Sequence, residues 1–356
     1  MIDLSKFLQS AIKCLTPYVP GEQPKERNYI KLNTNENPFP PSKRAIERAC
    51  EEISRSNLYP PLDGGELRLK IAELYGLKKD ETAITNGSDE ALNFIFKAFC
   101  TGSETVFADI TYGFYSVFAG LNGAKYREIP LKDDFTLDPS DYIGINKNIF
   151  IANPNAPTGL AISIENINEI AKSNPNNIVV IDEAYVDFGG ESALNILRKH
   201  QNLIVVRTFS KSRSLAGARI GYVFADPSII DDLYRVIYST NPYNLSRTNI
   251  AAGIGAIEDE EYTRANCEEV KSIREDTYEK LVNLGFEALH SSTNFIFAKP
   301  PIMGGKEYYE ALRKEGILVR HFNSPRISEY VRISIGTRKQ MDELIKTTVK
   351  LLNERR

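Results

Sequence analysis

Residues 176–185 read NNIVVIDEAY and residues 202–209 read NLIVVRTF. Each contains four consecutive large aliphatic residues, Ile178–Ile181 and Leu203–Val206, with no polar residue between them. A strand with one wet face alternates apolar and polar positions. A strand covered on both faces reads as an unbroken apolar run, which is the habit of parallel sheets sandwiched between helices. Working outward, TAIT (82–85), ETVFAD (104–109), AKYREIPL (124–131) and NKNIFIANP (146–154) are further strand candidates. Helical periodicity separates them at 86–99, 111–123 and 164–172, and a helix is expected near 193–199. RIGYVFA (219–225) follows with no room for a crossover helix, so it is expected to run antiparallel. The expected fold is α/β, with a mostly parallel, doubly wound sheet carrying helices on both faces.

The pattern changes after residue 226. Long helices are expected at 228–238, 249–258 and 262–284. Strand-like pieces follow, STNFIFAKP (292–300), GILVRHF (316–322) and YVRISIGT (330–337), then a final helix from Lys339. This reads as a smaller α+β domain. The expected organisation is a large domain over 36–245, a small domain over 246–356, and an N-terminal segment, 1–35, that joins the small domain.

Composition narrows the class. The chain has 356 residues, 42% hydrophobic and 26% charged, enough apolar material for a sizeable core. A net charge of −3 gives no electrostatic footprint for nucleic acid or an anionic membrane. The N-terminal residues lack the apolar run of a signal peptide, and no stretch approaches the ~20 apolar residues of a membrane span. A cytoplasmic location is expected. Cys14, Cys50, Cys100 and Cys267 form no CxxC pair, and His200, His290 and His321 show no metal-ligand spacing, so no metal is expected.

Ligands of open α/β sheets bind beyond the carboxyl ends of the parallel strands. Ser88 and Asp89 follow TAIT, and Asn153 and Asn155 follow NIFIA. Asp182 ends IVVID, and Thr208, Ser210 and Lys211 follow LIVV. Asp182 and Lys211 are either a plain ion pair or a catalytic couple. Lys211 lies in RTFSKSRSLAGARIGY, crowded by Arg213 and Arg219, and neighbouring cations favour a neutral, nucleophilic lysine. Ser210 and the helix start at GSDE offer hydroxyl and N–H donors suited to a phosphate. Asp182 is placed to keep a pyridinium nitrogen protonated, with Tyr185 beyond it to reach a phenolate oxygen. A lysine, a pyridinium-binding aspartate and a phosphate cup are together what pyridoxal 5′-phosphate requires.

At these residues the chain resembles the fold-type I pyridoxal-phosphate-dependent aminotransferases, and within them the histidinol-phosphate aminotransferase family. The matching strings include LTPYVPGE, KLNTNENPFPPS, NGSDEA, TYGFYSV, NPNAPTG, VVIDEAYVDF, RTFSKSRSLAGARIGY and VRISIGT. They run from Leu15 to Thr337. The resemblance implies that Lys211 holds the cofactor as a Schiff base and shuttles the proton, that Asp182 pairs with the ring nitrogen, and that Tyr185 meets the ring hydroxyl oxygen. It further implies Tyr112 stacking on the ring, and Ser88, Asp89, Ser210 and Arg219 on the phosphate. Tyr59 would reach the partner's site in a homodimer. Arg332 would bind the substrate's anion, with Arg320 and Tyr18 near its tail. The implied reaction exchanges an amino group between L-histidinol phosphate and 2-oxoglutarate, in histidine biosynthesis.

One departure stands out. Family members usually read NPNNPTG, whose asparagine before PTG bonds the ring oxygen; here that position is Ala156. Asn155 or Tyr185 is expected to take the load. Two relatives in reaction class remain as alternatives, an aromatic amino-acid aminotransferase and a threonine-phosphate decarboxylase. A non-catalytic regulator of the same fold would normally carry a basic DNA-binding module, and none is visible. Gly305–Lys306 lacks the rest of a P-loop, and GIGAIE (253–258) lacks a dinucleotide fingerprint's third glycine.

Overall fold

The structure is a computed structural model that describes residues 5–13, 15–17, 21–24 and 28–355. Its strands are β1 (Ile30–Lys31), β2 (Thr82–Thr85), β3 (Glu104–Ala108), β4 (Lys125–Ile129), β5 (Asn148–Ala152), β6 (Val179–Asp182), β7 (Leu203–Thr208), β8 (Gly221–Phe224), β9 (Glu287–Ala288), β10 (Phe295–Lys299), β11 (Ile317–Leu318), β12 (Arg320–His321) and β13 (Val331–Ser334). Its α-helices are α1 (Ser10–Lys13), α2 (Lys43–Glu52), α3 (Glu66–Leu74), α4 (Ser88–Ile95), α5 (Phe114–Leu121), α6 (Ile164–Ser173), α7 (Pro227–Thr240), α8 (Arg247–Glu258), α9 (Glu260–Asn283), α10 (Gly305–Lys314) and α11 (Arg338–Asn353).

Seven strands form one sheet in the order β2-β8-β7-β6-β5-β3-β4. All pairs are parallel except those of β8, which runs antiparallel to β2 and β7, as its short connection requires. Alternate residues feed two separate cores. Ile149, Ile151, Val179, Ile181, Leu203 and Val205 pack on one side with residues of α3, α6 and α8. Phe150, Val180, Ile204 and Val206 pack on the other with α4, α5 and α7. Because the strands are parallel, the residues after β2, β3, β5, β6 and β7 emerge at one edge. Reversed β8 starts at that same edge, which brings Arg219 there too.

The expected helix at 193–199 is instead a 3-10 segment, Ala193–Lys199. Its start is tied down by the Glu183 carboxylate, which accepts from Ala193 N–H at 2.6 Å and from the Ser192 hydroxyl at 2.8 Å. No helix among the described residues is long and apolar enough to cross a membrane.

A second, antiparallel sheet, β12-β13-β10-β9, packs with α9, α10 and α11 around its own core. β1 pairs in parallel with β11, so residues 30–31 are stitched to this smaller unit. Helix α8 lies beyond residue 246 yet contributes Ile250, Ala252, Ile254 and Ala256 to the large-sheet core. Gly255 sits against α2, where a Cβ would come within 2.5 Å of Arg44 O. We therefore place the passage from large to small unit after α8 rather than before it.

Candidate active site

A cavity opens at the carboxyl edge of the large sheet. Ser88, Asp89, Tyr112, Pro154, Ala156, Asp182, Ala184, Tyr185, Ser210, Lys211 and Arg219 line it. A wider cleft shares Tyr112, Ala156, Tyr185 and Lys211, and adds Thr34, Asn35, Arg320, Phe322 and Arg332. The second set comes from the N-terminal segment and the small sheet. The cleft thus lies between the two units, with Lys211 on the shared wall.

At one end of the cavity, α4 begins just after β2 through Gly87, whose φ of +83° suits glycine. The first-turn N–H groups of α4 have no helical acceptor and form the positive end of the helix dipole. A Cβ on Gly87 would lie 2.5 Å from Arg219 Nη2, so the helix start and the guanidinium close around a small space. Arg219 reaches it from a left-handed backbone, φ 51° and ψ 58°. Its Nη2 donates to Asp89 Oδ2 at 2.9 Å, while Tyr112 Oη donates to Asp89 Oδ1 at 2.6 Å. Asp89 thereby braces both side chains. The Ser210 hydroxyl accepts from Thr208 Oγ1 at 2.9 Å, which leaves its own proton to donate elsewhere.

Asp182 ends β6 and is 5% exposed. Tyr115 Oη donates to Oδ2 at 3.1 Å and Ala184 N–H donates to Oδ1 at 3.2 Å. Burial pushes this carboxyl up to about 7, opposed by those two donors and reinforced by the charges of Asp89 and Glu183. Both donors are neutral, so a cationic ring nitrogen would supply the charge this carboxylate has been buried without. That carboxylate, the cup at α4 and an accessible lysine fit pyridoxal phosphate.

Lys211 Nζ lies 5.7 Å from the Tyr185 ring centroid and donates to Thr34 O at a long 3.4 Å. Asn37 Nδ2 donates to Lys211 O at 3.0 Å and fixes its backbone. The expectation that Arg213 crowds Lys211 is corrected. Arg213 turns away into the packing of α8 and α9, where it donates to Ala256 O at 3.1 Å and meets Glu260 at 2.7 Å. The Glu36 carboxylate lies near Lys211, and Arg219 shares its cavity.

Asn155 is also corrected. Its amide nitrogen donates to Ile110 O and Thr158 Oγ1, each at 3.0 Å, and its oxygen accepts from Thr111 Oγ1 at 2.8 Å. Every strong bond of the side chain is spent tying the loop after β5 to the loop after β3, so none reaches the cavity. Asn153 likewise bonds both N–H and C=O of Ile162. Tyr185 remains at the cavity wall, edge-on to Phe295 at 5.2 Å.

Arg320 and Arg332 are cross-strand partners in the β12–β13 pair. Arg332 Cζ lies 5.3 Å from the Phe295 ring and 5.7 Å from that of Phe322, and Arg320 Cζ lies 5.7 Å from Phe322. Tyr59 is 78% exposed, lines neither cavity, and stacks on Tyr243 at 4.5 Å. Tyr18 lies outside the described residues. Sequence reasoning missed Thr34, Asn35 and Tyr115. Only Tyr115 left a local trace, since it follows Tyr112 by three positions at a helix start and so shares its side.

The burial of Asp182 makes a stability prediction for the cofactor-free protein. Its folded pKa lies above the unfolded one, so the folded chain binds this proton more tightly. The group costs nothing below about pH 4, and its cost grows as pH rises toward about 7. Asp182→Asn carries no such charge. The melting temperature of cofactor-free wild type should therefore fall relative to that of the variant between pH 5 and pH 8 (about 2 °C or more at this size). Parallel melting curves would show that the carboxylate is not desolvated.

Residues 27–347 match the family described as aminotransferase class I and II. The chain is 46% identical to a histidinol-phosphate aminotransferase of Brachyspira hyodysenteriae, over 98% of this chain and 100% of that one. It is 45% identical to that of Acinetobacter baylyi, over 98% of each. In fold it is similar to the crystal structure of histidinol-phosphate aminotransferase from Sinorhizobium meliloti in complex with pyridoxal-5′-phosphate. That likeness has a TM-score of 0.88, with 24% identity over 99% of this chain and 100% of the other.

Proposed function

The chain belongs to the class I and II aminotransferases and uses pyridoxal phosphate, and on that premise we propose that it moves the amino group of L-histidinol phosphate to 2-oxoglutarate, a step of histidine biosynthesis in the cytoplasm. The observation that carries the choice of substrate is the arginine pair. Arg320 and Arg332 stand in register on adjacent antiparallel strands at the cleft that also holds Lys211. Guanidinium forks on facing strands suit a phosphate and a carboxylate equally. Histidinol phosphate brings a phosphate to this place, and 2-oxoglutarate a carboxylate.

Pyridoxal phosphate, when bound, supplies the electron sink that stabilises negative charge at the substrate's α-carbon. Lys211 Nζ would hold it covalently and, when free, would take the proton from the substrate's α-carbon. Asp182 holds the proton on the ring nitrogen. Arg219, Ser88, Ser210 and the first N–H groups of α4, including that of Asp89, bind the phosphate. Tyr112, held by Asp89, would pack on the ring, and Tyr185 would donate to the ring oxygen. Arg320 would lie at the substrate's tail. Tyr59 and its exposed neighbours Ile53, Leu58 and Leu62 make the contact of a homodimer, with Tyr59 reaching the partner's site.

The test compares phosphorylated and unphosphorylated donors. Wild type should prefer L-histidinol phosphate over L-histidinol in kcat/KM, with 2-oxoglutarate as acceptor. Arg332→Ala should cut kcat/KM for the phosphate ester by roughly 10–100-fold, as for loss of a charged hydrogen bond, and barely change that for histidinol. An equal loss on both donors, or a wild type that prefers L-phenylalanine, would overturn the substrate assignment.

A further inference from the structure

At the wall formed by Pro154, Ala156, Ala184 and Tyr185, the Tyr185 hydroxyl is the sole side-chain donor. Which way its proton points is decided elsewhere. Asn35 N–H donates to Ser334 Oγ at 2.8 Å. The serine oxygen accepts there, and its hydroxyl donates to Asn35 Oδ1 at 2.9 Å. That assignment places the amide oxygen of Asn35 toward Ser334 and its NH2 toward Tyr185. Asn35 Nδ2 then donates to Tyr185 Oη at 2.9 Å. The phenol oxygen is an acceptor on that side, and its proton is left for the cleft.

Asn35 is 1% exposed and held on every side. Asn294 Nδ2 donates to its carbonyl at 3.0 Å. Its φ of +58° is a left-handed conformation that asparagine tolerates. The three residues come from three places: the N-terminal segment, the loop after β6, and β13 of the small sheet. Ser334 is two residues beyond Arg332 and shares its face of β13.

We propose that Asn35, oriented by Ser334, is the positioning residue that commits the Tyr185 proton to the cofactor's ring oxygen, the duty that Ala156 cannot share. The proposal rests on the reading of Tyr185 as that donor. Charged groups that share a cavity with Tyr185 are Lys211, Asp182, Asp89, Arg219, Asp109, Arg320 and Arg332, with Glu36 close to Lys211. None is altered by the substitutions below.

The experiment titrates the visible absorption of the holoenzyme's cofactor with pH and finds the midpoint at which the Lys211 linkage loses its proton. Withdrawing a donor from the ring oxygen leaves more electron density there and holds that proton longer. Tyr185→Phe should raise the midpoint by about one pH unit, the scale of one hydrogen bond to a charged group. Asn35→Asp keeps the left-handed residue but offers a carboxylate, which takes the Tyr185 proton for itself. It should raise the midpoint by a similar amount. Asn35→Gly and Ser334→Ala, both neutral, should move it the same way by less, and cofactor dissociation constants should rise in the same order. In a Tyr185→Phe background, Asn35→Asp should add nothing. If its shift persists there, the carboxylate acts through its charge alone and the proposal fails. If Tyr185→Phe shifts the midpoint while all three other variants leave it unchanged, Asn35 does not orient the tyrosine, though the Tyr185 reading survives. If Tyr185→Phe itself has no effect, that reading falls and the proposal with it. Melting curves of each variant identify any that has not folded, and Ser334→Ala alone then carries the test.

Discussion

Lys211→Ala should abolish turnover, with any residual rate at least about five orders of magnitude below wild type, while leaving the fold intact. The catalytic loss is large because no other described amine stands on the wall shared by the two halves of the cleft. In the proposed mechanism the lysine both binds the cofactor and moves the α-proton, so one truncation removes a covalent anchor and a base positioned by the protein. The structural cost is small because the side chain makes a single long hydrogen bond, 3.4 Å to Thr34 O. Asn37 and the surrounding loop hold its backbone without help from the amine. Far-UV circular dichroism and melting temperature should match wild type closely. Activity within tenfold of wild type would end the assignment of Lys211.

Asp182→Ala should lower kcat by roughly three orders of magnitude or more, about 4 kcal/mol. A ring nitrogen that loses its carboxylate loses its proton at neutral pH, and the electron sink weakens with it. The cost is paid in the transition state, where negative charge develops, so kcat should fall more than binding does. Tyr115→Phe offers a graded comparison. It removes one neutral donor to Asp182 Oδ2 and leaves the carboxylate, so it should cost far less. A loss below tenfold for Asp182→Ala would count against its role.

The sheet and much of its chemistry were legible because both depend on short-range patterns. Unbroken runs such as Val179–Ile181 and Leu203–Val206 announce strands covered on both faces. Once those strands are parallel, the residues after them must share an edge. Ser88, Asp182 and Lys211 are neighbours by that argument alone. What stayed hidden depends on side-chain direction and on distant chain segments. Arg213 is two residues from Lys211, yet its guanidinium points to Glu260 on α9. Asn155 is next to Ala156, but the turn sends its amide toward Ile110 and Thr111. Asn35 meets Tyr185 across 150 positions and Ser334 across 299, and no local periodicity encodes such a meeting. Helix α8 has the residues of a small-domain helix by its place in the chain, but its Ala- and Gly-rich face fits against α2.

The most direct measurement is a half-reaction. Purified holoenzyme is mixed with L-histidinol phosphate without any keto acid, and the visible spectrum is followed. The absorption of the lysine-linked cofactor should give way to that of the pyridoxamine form, one cofactor per donor consumed, and 2-oxoglutarate should restore the original spectrum. An unchanged spectrum with histidinol phosphate, alongside conversion by L-phenylalanine or L-threonine phosphate, would contradict the account.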